Sequence, residues 1–317
     1  MNTGQKSTRN HQGKGQAIKD KARAMVLASF AADSLALGAH WIYSINKIAR
    51  DFGRIESFLD PDPDSFHSTK KKGEFTHYGD QSFVLLESLA SRGTFDPEDF
   101  SRRWKQLFTG YNGYYDQATK GTIENLSLGK TPLEAGSSSN ELSGAARIAP
   151  LVYALCEDEE ELVSAARTQT DMTHRDSLVV DAGGFFARVT FRILHGQKPT
   201  SAIEEVIRKC FEGSALQRWV GKGMESCSGE TVQAIKAFGQ DCHVPDAFPG
   251  VIHTICRYEN DLKEALVQTV ISGGDSAARG MAVGMVLGAH LGMAAIPAEW
   301  IKGLKKGPEI VELLDKL

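Results

Sequence analysis

Three aspartates in this 317-residue chain sit where a carboxylate is hard to place. Asp33 interrupts the largely apolar run from Leu27 to Leu37. Asp80 lies within Thr76-His77-Tyr78-Gly79-Asp80-Gln81-Ser82, and Asp275 within Ser272-Gly273-Gly274-Asp275-Ser276. A carboxylate in apolar surroundings is destabilising unless bonded or paired. Gathered in a cleft, such groups bind hard cations or exchange protons. His40 follows Asp33 by seven residues, two helical turns, so a helix carries both on one side. An imidazole there is a base near neutral pH. His174, in Thr173-His174-Arg175-Asp176, is a further candidate. Simpler accounts stand beside these. An aspartate at a helix start can serve only as an N-cap, which would cover Asp80, Asp176 and Asp275. Asp33 could bond His40 or a hydroxyl. Capping does not account for the two glycines before Asp275, which suit close backbone approach to a ligand or partner.

The elements that must position these residues read as helices. Ala17 to about Trp41 has no Pro, and no Gly before Gly38; Ala24, Ala28, Ala32 and Ala36 form a ridge of small side chains. A polar, Pro- and Asp-rich loop from Asp60 to about Tyr78 follows, long enough to suggest a functional role. A helix is expected from near Asp80 to Ser91, and another opened by Asp96-Pro97-Glu98, with Asp as cap and Pro in the first turn. Leu178, Ala182, Phe185, Val189 and Ile193 keep helical spacing. After Asp275 come Gly280, Gly284, Gly288 and Gly292. Each glycine costs a helix about 1 kcal/mol relative to Ala, so the stripe predicts a buried helix against which another backbone comes close. No alternating strand pattern and no repeat is visible. The expectation is an all-α fold: a disordered polar tail over 1–16 and one helical domain over 17–317.

Composition narrows the function. The net charge is -4 with no basic stripe, which argues against nucleic acid as partner. Arg279 and His290 interrupt the glycine-striped segment, which is too short to span a bilayer. The N-terminus lacks the apolar core of a signal peptide, so a cytoplasmic location is expected. The five cysteines (Cys156, Cys210, Cys227, Cys242 and Cys256) include no C-x-x-C. Cys242-His243 and His253-x-x-Cys256 match no standard zinc spacing. Leu128-Gly129-Lys130-Thr131 fails as a phosphate loop because Glu124 stands where its first glycine belongs.

Taken in order, the polar motifs resemble the ADP-ribosylglycohydrolase family. Ala32-Asp33-Ser34-Leu35-Ala36 is similar to its Gly-Asp-Ala-Leu-Gly run. Gly79-Asp80-Gln81-Ser82 is set against its Thr-Asp-Asp-Thr at a helix start, Thr173-His174 against its Thr-His, and Gly273-Gly274-Asp275-Ser276-Ala277-Ala278 against its Gly-Gly-Asp-Thr-Asp-Thr. Ala32 to Trp41 and Tyr78 to Gln81 look like the J1-crystallin and selenoprotein J side of the family. The resemblance implies an all-α hydrolase that cleaves the glycosidic bond between ADP-ribose and a protein side chain or related group, with two magnesium ions. Of six implied ligand positions, Asp80 and Asp275 are kept, while Gly79, Gln81, Ala277 and Ala278 stand at the other four. Magnesium is therefore expected to be weak or absent. The family's catalytic acid falls near His40. The resemblance thus marks Asp33, His40 and Asp80 as catalytic, Gln81, His174, Gly273 and Gly274 as substrate-binding, and Asp80 and Asp275 as metal ligands, with the three aspartates expected in one cleft. Two functions follow: a hydrolase of an ADP-ribosyl or related ribosyl bond, or a catalytically silent crystallin-like structural or ADP-ribose-binding protein. The oligomeric state is not readable from the chain.

Overall fold

The computed structural model describes residues 4–317, with side chains from Gly15 onward. Residues 1–3 of the expected tail lie outside the described residues, and the rest of that segment is part of the opening helix, Gly4–Leu37. Among the described residues the fold is all-α, with no strand and two isolated bridges, Ser137 to His174 and Glu141 to His243. Among the described residues no helix is long and apolar enough to cross a membrane.

The opening helix and the Ser276–Leu291 helix pack along each other in the most extensive helix contact of the molecule. Side-chain size permits this. A Cβ on Gly284 would lie 2.6 Å from the Ala28 carbonyl oxygen, and one on Gly288 would lie 2.9 Å from the Cα of Met25. Ala24, Ala28 and Ala32 face these glycines and are fully or almost fully buried. Gly280 is less confined, its nearest neighbours lying 3.5 Å away. Gly292 departs from the expected stripe: it ends the helix with φ +73 and no neighbour near its Cβ position. The helices Ser177–Leu194, Val244–Arg257 and Leu262–Ile271 surround the central pair. All five cysteines are free.

Helix capping follows the sequence in several places. Asp96 accepts from the amides of Glu98 and Asp99, Asp176 from those of Leu178 and Val179, and Asp275 from that of Ala278. One start differs. The helix expected from Asp80 spans His77–Arg92, and its cap is Thr76, whose Oγ1 accepts from Tyr78 N. That three-residue difference changes which side chains the helix turns toward Asp275.

Candidate functional site

Thr76 owes its place to Asp33. The carboxylate, buried in the opening helix, accepts from Thr76 N at 2.8 Å and from Thr76 Oγ1 at 2.5 Å. Burial pushes its carboxyl up to about 7, against the lowering effect of both Thr76 bonds. Asp33 bonds neither His40 nor Asp275. It fixes the start of the next helix, and Gly79 leaves room for it: a Cβ there would meet Asp33 Oδ2 at 2.4 Å.

Asp80 and Gln81 bond groups other than Asp275. Successive helical residues are rotated by about 100°, so Asp80 points to nearly the opposite side from Tyr78. Asp80 Oδ2 accepts from Lys70 Nζ and from the Tyr111 hydroxyl, both at 2.6 Å. Gln81 Oε1 accepts from Trp104 Nε1 at 2.8 Å and from the buried guanidinium of Arg147. The groups that reach Asp275 are instead Tyr78, whose hydroxyl donates to Oδ2 at 3.4 Å, and His40, whose Nδ1 lies 3.8 Å from Oδ1. Asp275 thus meets His40 and Tyr78, while Asp33 and Asp80 bond Thr76, Lys70 and Tyr111.

Asp275 is wholly buried, and burial pushes its carboxyl up to about 6 although Arg279 opposes the shift. Gly273 and Gly274, both in the left-handed region, hold it there. The amide of Gly274 donates to Ile42 O, and the amides of Trp41 and Asp275 donate to Gly274 O and Gln240 O, each at 2.9 Å. A Cβ on Gly274 would lie 2.1 Å from Gln240 O. The two glycines therefore answer to the chain's own backbone.

This donor set does not fit magnesium, which prefers six oxygens in a near-octahedral shell. Asp275 is met by an imidazole, a phenol and the backbone amide of Ala278, and the two residues that follow Ser276 are alanines with no side-chain oxygen to offer. With Thr76 as cap, the first turn runs His77-Tyr78-Gly79-Asp80, so Asp80 is the one carboxylate it holds from the motif set against Thr-Asp-Asp-Thr.

Histidines and aromatic rings dominate the centre. The His40 ring lies 4.5 Å from Trp41, 5.2 Å from His67 and 5.6 Å from Tyr78, and His67 lies 5.8 Å from His77. Trp41, Phe66 and Tyr114 touch one another at 4.9–5.3 Å over these imidazoles, with Phe66 exposed. Burial holds His40 well below the usual imidazole range, and holds His67 and His174 at about 3. His40 Nε2, both His67 nitrogens and His77 Nδ1 are buried without a hydrogen-bond partner.

His174 joins two residues absent from the sequence-derived site, Asp116 and Glu141; one donor atom from each of the three lies within 4.8 Å of the others. Asp116 caps the Gln117–Ser127 helix and pairs with His77 Nε2 at 3.3 Å. Burial opposes its ionisation, but the His77 bond and the nearby imidazoles hold its carboxyl below the usual range. Burial pushes the Glu141 carboxyl up, reinforced by Asp116 and Asp275. His67, Asp116 and Glu141 lie in irregular segments, where no periodicity marked them. His77 was visible in its motif, and only the displaced helix start hid its direction. A surface groove of about 790 Å³ lined by Phe58, Trp300 and Val311 contains none of these residues.

An all-α body whose buried imidazoles and carboxylates meet where the Thr76-capped helix, the end of the opening helix and the Asp275-capped helix converge defines the class. The ADP-ribosylglycohydrolase family model matches residues 14–317, and the chain belongs to that family. It is 25% identical to Crystallin J1A of Tripedalia cystophora over 314 residues, covering 94% of this chain and 96% of that one. It is 24% identical to the ADP-ribosyl-[dinitrogen reductase] glycohydrolase of Rhodospirillum rubrum over 237 residues, 74% of each. A solved structure titled "ADP-ribosylglycohydrolase-related protein complex" shares the fold, with TM-score 0.77 and 23% identity, over 95% of this chain and 98% of that one.

Proposed function

We propose that the chain is a slow hydrolase of an ADP-ribosyl or related ribosyl glycosidic bond that works without magnesium, with His40 as the base. The observation that carries this reading is the His40–Asp275 pair: a buried neutral imidazole with a free Nε2 and a carboxylate 3.8 Å from its Nδ1. In the structure Nδ1 accepts from Ala277 N at 3.4 Å. For Nε2 to take a proton from the attacking water, the ring would give up that bond and carry its proton on Nδ1 toward Asp275, which would stabilise the imidazolium that forms. Glycosidic cleavage builds positive charge on the ribosyl ring, which Asp275 and the ionised Asp116 would offset. Trp41, Phe66 and Tyr114 offer faces on which a flat base stacks. The Rhodospirillum relative's name supports the reaction class.

A second reading is favoured by Ala277, Ala278 and the two Tripedalia crystallins: a silent body that binds an ADP-ribose-like ligand or serves as a structural protein. Release of ADP-ribose from ADP-ribosyl-arginine and from O-acetyl-ADP-ribose, followed by chromatography, separates the two. The hydrolase reading expects slow turnover that added magnesium does not change and that His40→Ala removes. Turnover no faster than the uncatalysed rate leaves the silent reading, and strong stimulation by magnesium defeats the magnesium-free one.

A further inference from the structure

We propose that Asp116, Glu141 and His174 form a binding site for one divalent transition cation of the zinc class. The three come from separate elements: a helix cap, a loop residue held by its bridge to His243, and a residue bridged to Ser137. Their donor atoms already lie within 4.8 Å of one another, and His174 Nε2 is 4.0 Å from Glu141 Oε2. A zinc ion with bonds of about 2.0–2.2 Å sets its donors about 3.3 Å apart, so donors 4.0–4.8 Å apart must close by about 0.7–1.5 Å. Glu141 can supply that movement. Its Oε2 is buried and has no hydrogen-bond partner, and its Oε1 accepts only from the Cys242 thiol at 3.5 Å, so swinging inward costs at most that weak bond.

The surroundings support a missing cation. Among the described residues, no Lys or Arg forms an ion pair with Asp116 or Glu141. Arg147, the nearest buried guanidinium, bonds Gln81 and the Thr173 hydroxyl instead. A buried carboxylate beside a largely buried one, without a strong cation, is unfavourable, and a divalent ion removes that repulsion.

The ligands are also braced as metal ligands are. His174 Nδ1 faces Thr173 Oγ1 at 2.9 Å. With the proton on Nδ1, Nε2 presents its lone pair to the cluster, where the Ser143 hydroxyl donates to it at 3.1 Å. Asp116 is steadied by Thr119 N at 2.7 Å and by His77, whose wholly buried ring leaves Nδ1 unpartnered. A mixed carboxylate–imidazole set selects a borderline ion such as zinc over magnesium. These residues are separate from the implied magnesium positions, and metal uptake is read without turnover, so the proposal stands or falls independently of the hydrolase reading.

The test uses the full chain, stripped with a chelator and titrated with Zn2+ by calorimetry and with Co2+ by visible absorption. Wild type is expected to bind one equivalent of Zn2+ and to develop a Co2+ d–d band, with millimolar magnesium failing to compete. Glu141→Gln, which preserves shape at a partly exposed position, should weaken Zn2+ binding on the order of 10-fold or more, and His174→Gln should do the same. No uptake by wild type overturns the proposal. So does uptake unaffected by either substitution, or uptake lost only in Cys242→Ala, which would place the ion on the thiol beside Glu141.

Discussion

Asp33 orients the start of the next helix. Its carboxylate is spent on the Thr76 amide and hydroxyl, which begin the helix that carries His77 and Tyr78. The sequence marked Asp33 as an anomaly and showed that it needed a partner. It could not show which one, because Thr76 lies 43 residues away. The pH dependence of stability follows. Asp33 and Asp275 are shifted from 3.8 to about 7 and about 6, so the folded state holds protons that the unfolded chain has released. Stability is therefore full below the unfolded pKa and falls as pH rises through about 7. Asp33→Asn should cost about 1 kcal/mol by losing one bond. It should also flatten the decline between pH 5 and 8, because each abolished pKa unit is worth about 1.4 kcal/mol. Urea unfolding across that range measures both effects. An unchanged slope would mean that Asp33 is not the titrating group.

At the scale of elements, the helices were legible and the loop was not. The four-residue rhythm of alanine and glycine announced the central pair because close backbone packing admits few other residues. Gly284 and Gly280 separate that cause from simple propensity. Gly284→Ala drives a methyl into the Ala28 carbonyl and should cost about 1–3 kcal/mol through overpacking. Gly280→Ala meets only ordinary contacts and should be neutral, or stabilising by up to about 1 kcal/mol. Equal effects in thermal unfolding would refute the close-approach account. The segment over residues 52–76 has no periodicity to read, yet it delivers His67 and Phe66 to the centre. Lys70 ties it down through Asp80 and by lying over the Tyr111 ring at 5.0 Å. Lys70→Ala should cost about 1 kcal/mol and raise amide exchange selectively over residues 60–72. Exchange that rises nowhere, or rises uniformly, counts against this anchor.

At the scale of the molecule, a single buried cluster among the described residues runs from Ala22 to Leu314, and the C-terminal residues are tied to the opening helix and to Tyr153. Tyr153 donates to Leu314 O at 3.0 Å, and Arg23 pairs with Asp315. No seam divides this core, so calorimetry should show one cooperative transition with matching calorimetric and van't Hoff enthalpies. Two resolved transitions would reveal an independent unit. The fold was readable from the sequence because burial imposes a rhythm on the chain. The centre was less so, because its residues converge from a helix end, a helix start and loops whose relative placement is set only by packing.

Trp41 adopts φ +65, the only non-glycine residue among those described in the left-handed region, and stacks on His40 while its edge meets Phe66 and Tyr114. Trp104 and Trp300 are sealed in the core, and Trp219 packs near Phe248. The protein therefore carries an intrinsic optical gauge at the mouth of its centre. Whatever lifts Phe66 away hydrates the Trp41 indole and moves its emission to longer wavelength, while a flat base sliding onto the ring quenches it.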